Sequence, residues 1–197
     1  MIRTITRPQY WSILKLFYGN HNTPLHLRDI SRKINLRESA TSRHLNALEK
    51  TNILKSQKEA NLKKYNLKNQ AIPEIFSLFD IERLEALPLL RINTIRFYIN
   101  TLKEKPIFVI LFGSTAKGHF RDDSDIDVIS IFNKKTDTTE AIKYAEAQTG
   151  MKLSEFQLSY PQFIKELKLK QDNVIQAGIE TGYPIYNQIY FYEVKNG

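Results

Sequence analysis

Two apolar runs flank a Gly-Ser pair and an Asp-x-Asp pair, and this arrangement constrains the fold of the chain more than any other feature. The residues from Ile107 to Phe112 are all apolar, which is typical of a short strand buried on both faces. Gly113 ends this run, and because it lacks a Cβ it can adopt positive φ and let another group approach the backbone. Asp125 and Asp127 begin a second apolar run that ends at Phe132. The sequence therefore predicts two buried strands with polar chemistry at the point where they meet.

The spacing of the two aspartates predicts a metal site. Residues i and i+2 of a strand point to one face, so the carboxylates of Asp125 and Asp127 should lie side by side. Neighbouring carboxylates repel each other unless a cation lies between them, and oxygen ligands suit Mg²⁺, which fills its remaining positions with water and phosphates. Free N–H groups where a helix begins at Ser114 would favour an anion. A metal-bound nucleoside triphosphate is the predicted ligand; the alternative is a solvated acidic loop, since Asp122 and Asp123 lie in the same segment.

The same segment resembles a known family. Gly113-Ser114, then Ala116-Lys117-Gly118 and Ser124, then Asp125-x-Asp127 are similar to the motif of the minimal nucleotidyltransferases of the DNA polymerase beta superfamily. The resemblance implies transfer of a nucleoside monophosphate from a magnesium-bound triphosphate, with ATP as the expected nucleotide. The roles it implies are triphosphate binding by Gly113 and Ser114, charge compensation by Lys117 or Arg121, and Mg²⁺ binding by Asp125 and Asp127.

The family also implies a third acid on a neighbouring antiparallel strand, and Glu155 is the candidate. It is the one acid in the strand-like segment from Lys152 to Ser159, which follows a predicted helix over residues 138–149. With Glu155 as a ligand the site would hold two metal ions, and Glu155 would activate the hydroxyl of a protein or RNA acceptor. If Glu155 is only an exposed strand residue, the domain would bind a nucleotide without transferring it.

Charge is distributed unevenly along the chain. Residues 1–70 contain 14 Lys or Arg and 4 Asp or Glu, whereas residues 71–197 contain 15 and 17. A basic first third beside an acidic remainder is typical of a nucleic-acid-binding module joined to a metal-binding module. The absence of Cys excludes disulfides and thiolate metal sites. With no apolar run long enough to cross a membrane, we expect a soluble, cytoplasmic protein with no membrane partner.

The basic third predicts three helices, over residues 8–18, 25–34 and 38–50, and then two strands over residues 53–56 and 63–67. This order resembles a winged helix-turn-helix, which implies that the helix from Glu38 to Lys50 enters the major groove of double-stranded DNA. Arg43 would then contact guanine and Asn46 adenine. The remaining candidates for DNA contact, mostly to phosphates, are Ser39, Thr41, Ser42, Lys63 and Lys64. The alternative is that this helix contacts a protein.

Residues 72–105 predict two helices separated by Pro88. The second carries an apolar seam of Ile92, Ile95, Ile99 and Leu102, which would either pack on the sheet or form a dimer interface. Because helix-turn-helix proteins usually bind paired half-sites, a homodimer is expected. Farther along the chain, helices over residues 162–170 and 172–181 and a final strand from Ile189 to Val194 are predicted.

The predicted fold class is α+β: a winged helix-turn-helix DNA-binding domain at residues 1–70, a helical linker at 71–105, and a minimal nucleotidyltransferase domain with a mixed sheet flanked by helices at 106–197. The resulting functional hypothesis is a DNA-binding nucleotidyltransferase. Similar minimal transferases act as antitoxins that add AMP to a toxin, so the resemblance also implies a protein toxin partner and self-repression. The alternative is a transcription regulator whose transferase domain only binds a nucleotide or is inactive.

Overall fold

The chain forms two compact units, residues 1–79 and 80–197. The computed structural model describes residues 7–59 and 62–196. The boundary between the units falls inside the segment 71–105 that the sequence predicts as a linker. The second helix of that segment belongs to the second unit and contributes to its core.

The first unit consists of helices and a small antiparallel sheet in the order of a winged helix-turn-helix, as predicted. Its strands are arranged β1-β3-β2, so β2 and β3 form the wing hairpin. The elements are α1 (Pro8–Gly19), β1 (Leu25–His26), α2 (Leu27–Lys33), α3 (Glu38–Lys50), β2 (Leu54–Glu59) and β3 (Leu62–Leu67).

Apolar side chains and two asparagines determine how the first unit folds. Asn35 adopts the left-handed conformation, with φ of 54°, in the turn between α2 and α3, a conformation that asparagine tolerates better than most residues. Asn22 accepts a hydrogen bond from the amide of Leu67 at 2.7 Å and donates one to its carbonyl at 3.3 Å, which attaches the turn after α1 to β3. The core of this unit consists of fully buried side chains, among them Ile13, Leu14, Phe17, Ile30, Leu45 and Leu48.

The second unit contains a four-stranded mixed sheet in the order β6-β5-β4-β7. Strands β5 and β6 are parallel, and the other two pairs are antiparallel. The boundary between the units falls inside α4 (Ile72–Glu85). The elements that follow are α5 (Leu89–Thr101), β4 (Phe108–Phe112), α6 (Gly113–Lys117), β5 (Ile126–Phe132), α7 (Thr139–Thr149), β6 (Leu153–Ser159), α8 (Tyr160–Leu169), α9 (Asn173–Thr181), β7 (Tyr183–Tyr186) and α10 (Gln188–Asn196).

Helices cover both faces of this sheet. On one face, α5 and α7 pack on Val128, and the seam predicted on α5 lies in this core rather than on the surface. On the other face, the ring of Phe108 lies 5.0 Å from that of Phe163 in α8 and 5.5 Å from that of Phe191 in α10. The seam of α5 therefore does not form a dimer interface, because the sheet already buries it.

The predicted final strand from Ile189 to Val194 is wrong. Those residues form α10, and the edge strand beside β4 is β7, which lies earlier in the chain. Three consecutive aromatic residues and a Val are compatible with a strand, but Phe191 and Lys195 are spaced four apart, as on one face of a helix. Phe191 is buried, and the Lys195 ammonium donates to the carbonyl of Ile179 at 2.8 Å. Among the described residues, no helix is long and apolar enough to cross a membrane.

Candidate functional site

The glycine turn after β4 has the conformation expected from the sequence. Gly113 has φ of +69°, and a Cβ built on it would lie 2.2 Å from Oδ2 of Asp127. Any side chain at this position would therefore both strain the backbone and collide with a carboxylate. The turn brings the start of α6, with Ser114, directly beside the second half of the motif.

The two aspartates are positioned by the start of β5. Asp127 lies opposite Phe112 on β4 and opposite Ser154 on β6, and its side chain is half-buried. Asp125 lies just before the strand and is exposed. Burial, and then the negative charge of Asp125, raise the pKa of Asp127 above its ordinary value. A divalent cation would offset both effects, so the chemistry of this pair of carboxylates fits a divalent metal ion.

Glu155 does not join the aspartates, which corrects its assignment as the third acid. It is the register partner of Val128, so its side chain leaves the sheet on the opposite face from Asp127. There it accepts short hydrogen bonds from the hydroxyls of Tyr98 and Thr138. The strand that carries it is parallel to β5, not antiparallel as the resemblance implied.

The network around Glu155 ties three elements together. Tyr98 on α5 bonds both Glu155 on β6 and, at 2.7 Å, the Oγ of Ser130 on β5. Burial, and then the negative charge of Glu155, raise the pKa of Tyr98 far above its usual range, so its hydroxyl stays protonated. Glu155 thus has hydroxyl donors for its oxygens, which is typical of a structural carboxylate.

On the face of the aspartates, β6 presents Ser154 and the exposed ring of Phe156 instead of an acid. Among the described residues, no group of three His, Cys, Asp or Glu side chains is arranged to hold a metal ion. The site therefore offers two carboxylates and a glycine turn, without a third acid beside them.

The two basic candidates near the turn are both exposed. Lys117 is the last residue of α6, and Arg121 follows in the loop that leads to β5. The backbone of Arg121 also organises this loop, because its amide donates to the Oγ of Ser124 at 2.9 Å. Both side chains are accessible to a phosphate that approaches the turn.

Two arginines of the second unit, which the sequence analysis missed, contact the segment that contains the turn. Arg83 donates to the carbonyl of Ala116 at 2.8 Å, and its guanidinium lies 3.9 Å from the centre of the Tyr183 ring. Arg91 is buried and donates to Thr115 at 2.7 Å. A signal for Arg91 was available in the sequence, since it shares the inward spacing of Ile95 and Tyr98 on α5.

In the first unit, most of the predicted DNA-contacting side chains of α3 are accessible. Ser39, Arg43 and Asn46 are exposed and Ser42 is half-buried. Thr41 is an exception: it is fully buried, and its hydroxyl donates to the carbonyl of Arg37 at 3.2 Å. Thr41 therefore cannot contact a phosphate, because the helical period turns it toward the core.

The two lysines of the wing have carboxylate partners. The Lys63 ammonium lies 2.8 Å from Oε2 of Glu49 on α3, and Lys64 forms an ion pair with Glu59. Both ion pairs are at least partly exposed, and pairs of this kind contribute little to stability, so a phosphate can compete for either lysine. The tip of the wing between β2 and β3, residues 60 and 61, lies outside the described residues.

Residues 93–189 match the family described as "Polymerase beta, Nucleotidyltransferase". Among solved structures, HlyU from Vibrio cholerae N16961 is similar at 22% identity and a TM-score of 0.37, over 41% of this chain and 85% of its own. A TM-score this low does not support a fold assignment. The winged helix-turn-helix assignment therefore rests on the helices and the strand order of the first unit. Comparison with the curated proteins gave no match.

Proposed function

We propose that this chain, which joins a winged helix-turn-helix unit to a polymerase beta-type nucleotidyltransferase domain, is a DNA-binding regulator that binds a magnesium nucleoside triphosphate without transferring its nucleotidyl group. The observation that carries the proposal is the position of Glu155, whose carboxylate lies across the sheet from the aspartates and is held by Tyr98 and Thr138.

The second unit retains the parts needed to bind the nucleotide. Gly113 and Ser114 would receive the phosphates, and Asp125 and Asp127 would hold the Mg²⁺ that bridges them. Lys117 and Arg121, both exposed beside the turn, would offset the phosphate charge. These residues would contact the phosphates and the metal and not the base, so they do not select among nucleotides. ATP, which the resemblance to the family implies, is the first nucleotide to test.

Nucleotidyl transfer requires more catalytic groups in the site than nucleotide binding does. A hydroxyl that attacks the α-phosphate must lose its proton, and in two-metal sites a further acidic ligand helps to position the ion that activates it. The side chains of β6 beside Asp127 are Ser154 and Phe156, and neither is an acid. This arrangement supports retention of the nucleotide over its transfer.

The first unit supplies the DNA-binding side of the proposal. Arg43 and Asn46 are exposed on α3 and would contact bases, while Ser39 and the wing lysines would contact phosphates. We propose that two copies bind paired half-sites, as helix-turn-helix proteins usually do. Because Thr41 is buried, Thr41→Val should leave DNA affinity unchanged, whereas Arg43→Ala should relax the sequences selected from a random duplex library.

The family match favours a second candidate, nucleotidyl transfer. For this candidate we propose a protein or RNA hydroxyl as the acceptor, and a toxin protein as one such acceptor. The two candidates differ in one product, since transfer releases pyrophosphate and binding does not. Transfer would require a proton acceptor other than Glu155.

The deciding experiment is calorimetric titration of Mg-ATP into the purified protein, together with an assay for labelled pyrophosphate in a lysate of the source cells. We expect saturable binding that Asp127→Asn abolishes, with no pyrophosphate above background. Asp123→Asn is the matched control, because Asp123 is an exposed acid of the same loop outside the Asp-x-Asp pair. Pyrophosphate release that depends on Asp127 would establish the transferase instead, and no binding at all would contradict both.

A further inference from the structure

Arg91 is a buried cation beside the candidate site. It lies near the start of α5, and only 2% of its surface is exposed. Burying a guanidinium is costly unless its donors are satisfied, so its partners show which part of the structure it stabilises. Within the described part of the chain, its guanidinium donates hydrogen bonds to the segment between the glycine turn and Asp125.

The guanidinium of Arg91 joins both ends of that segment. Nη1 donates to the Oγ1 of Thr115 in α6 at 2.7 Å. Nη2 donates to the carbonyls of Arg121 at 2.8 Å and Ser124 at 3.0 Å. The guanidinium carbon lies over the ring of Phe120, 4.2 Å from the centre of the ring.

The same contacts extend to the metal half of the site. Thr115 also donates from Oγ1 to the carbonyl of Asp125, at 3.4 Å. Arg91 thus contacts α6, which carries the phosphate-binding turn, and the residues that lead directly into the aspartate pair. A planar fork with several donors suits this task, and a lysine, with a single point charge, does not reproduce it.

We infer that Arg91 is a positioning residue that fixes the spacing between the Gly113-Ser114 turn and the Asp125-Asp127 pair. This inference rests on the proposed function, because the spacing matters only to a ligand that contacts both halves. A metal-bound triphosphate does so, since its phosphates lie at the turn and its metal lies at the aspartates. A free metal ion contacts the aspartates alone and is insensitive to the spacing.

The test compares two ligands across matched variants. Dissociation constants for Mg-ATP, by calorimetry, and for Mn²⁺ alone, by electron paramagnetic resonance, are measured for Arg91→Gln, Arg91→Lys and Thr115→Val. Arg96→Gln is the control, because Arg96 lies on the same helix with its side chain exposed. Thermal unfolding of each variant identifies any that fail to fold.

We expect Arg91→Gln to weaken Mg-ATP binding about tenfold or more, the effect of losing charge-assisted hydrogen bonds, while Mn²⁺ binding changes less than about twofold. Arg91→Lys should remain impaired for Mg-ATP, and Thr115→Val should shift in the same direction by a smaller factor. Arg96→Gln should match the wild type for both ligands.

Two results would overturn the inference: unchanged Mg-ATP affinity in folded Arg91→Gln and Thr115→Val, or equal losses for Mg-ATP and Mn²⁺. Either would leave the proposed function intact, since the wild type still binds the nucleotide. Failure of the wild-type protein to bind Mg-ATP would instead refute the proposed function, and this inference with it.

Discussion

The two faces of the strand pair β5 and β6 carry carboxylates in opposite situations. On one face, Asp127 lies against Gly113 and near another carboxylate, and its pKa is raised by burial and by that neighbour. On the other face, Glu155 is held by hydroxyls from α5 and from the loop before α7. A carboxylate with its own hydrogen-bond donors stabilises the fold, whereas a half-buried carboxylate near another negative charge favours a bound cation. Substitutions at the two faces should therefore change different quantities.

The largest effect is expected at the contact between Gly113 and Asp127. Gly113→Ala adds a Cβ that would lie 2.2 Å from Oδ2 of Asp127 at a backbone φ of +69°. We expect a loss of about 2–4 kcal/mol in the free energy of unfolding and no measurable Mg-ATP binding. Urea unfolding and calorimetry measure the two effects.

Gly150→Ala is the control for Gly113→Ala, because it introduces the same backbone strain without a collision. Gly150 has φ of +71°, but a Cβ there would meet nothing within 4 Å. It should cost only about 1 kcal/mol, the penalty for a non-glycine residue in this conformation. Equal losses for the two variants would show that the carboxylate does not lie against Gly113 in solution.

On the opposite face, Glu155→Gln should destabilise the protein without affecting the ligand. The amide cannot accept from both hydroxyls as the carboxylate does, so one buried group loses its partner, at a cost of about 1–3 kcal/mol. Chemical unfolding should show this loss, while the Mg-ATP affinity of the folded protein stays at the wild-type value. Abolished nucleotide binding with unchanged stability would show that Glu155 acts in the nucleotide site.

Tyr98→Phe offers a smaller test of the same network. It removes one hydroxyl and leaves the ring in the core, where Tyr98 has no exposed surface. We expect a loss of about 1–2 kcal/mol, since Glu155 keeps its bond from Thr138. The stability losses of Tyr98→Phe and Glu155→Gln, measured separately, should sum to more than the loss of the double variant, because the two residues share one interaction.

The smallest effect on stability is expected for Asp127→Asn, which should stabilise the protein, whereas the other substitutions destabilise it. Because the folded-state pKa of Asp127 is raised, its ionisation opposes folding above that pKa, and the neutral amide removes this effect. The gain at neutral pH should be below about 1 kcal/mol, since the side chain is partly exposed and water screens it. It should disappear at acid pH below the ordinary Asp value, where the wild-type carboxyl is protonated in both states. A thermal scan at the two pH values that shows destabilisation at neutral pH would contradict the comparison.

The glycine turn and the aspartate pair of the site could be predicted from local sequence patterns. A short apolar run, a glycine that needed positive φ and acids at strand spacing were sufficient to place Gly113 beside Asp127. The winged helix-turn-helix also followed, because its helices have clear apolar periodicity. The error at Thr41 was a matter of helical phase, since a short polar residue looks accessible until the core-facing side is known.

The errors in the second half depended on long-range pairing. The face on which Glu155 emerges depends on its register with β5, and a shift by one residue reverses every side chain of a strand. The sequence of β6 alone, with polar residues at both Ser154 and Glu155, does not determine that register. Arg91 was missed for a related reason, because its partners are mainly backbone carbonyls and one hydroxyl, about 24 to 33 residues away along the chain.

The pairing of Ser154 with Asp127 makes position 154 the point on β6 closest to the aspartate pair in register. Ser154 is the position on β6 whose side chain leaves the sheet on the aspartate face. A carboxylate gained there would complete an acidic triad, and one lost there would dismantle it, with no change in the backbone. Under the proposed function, the difference between holding a nucleotide and transferring it would then depend on the side chain at position 154.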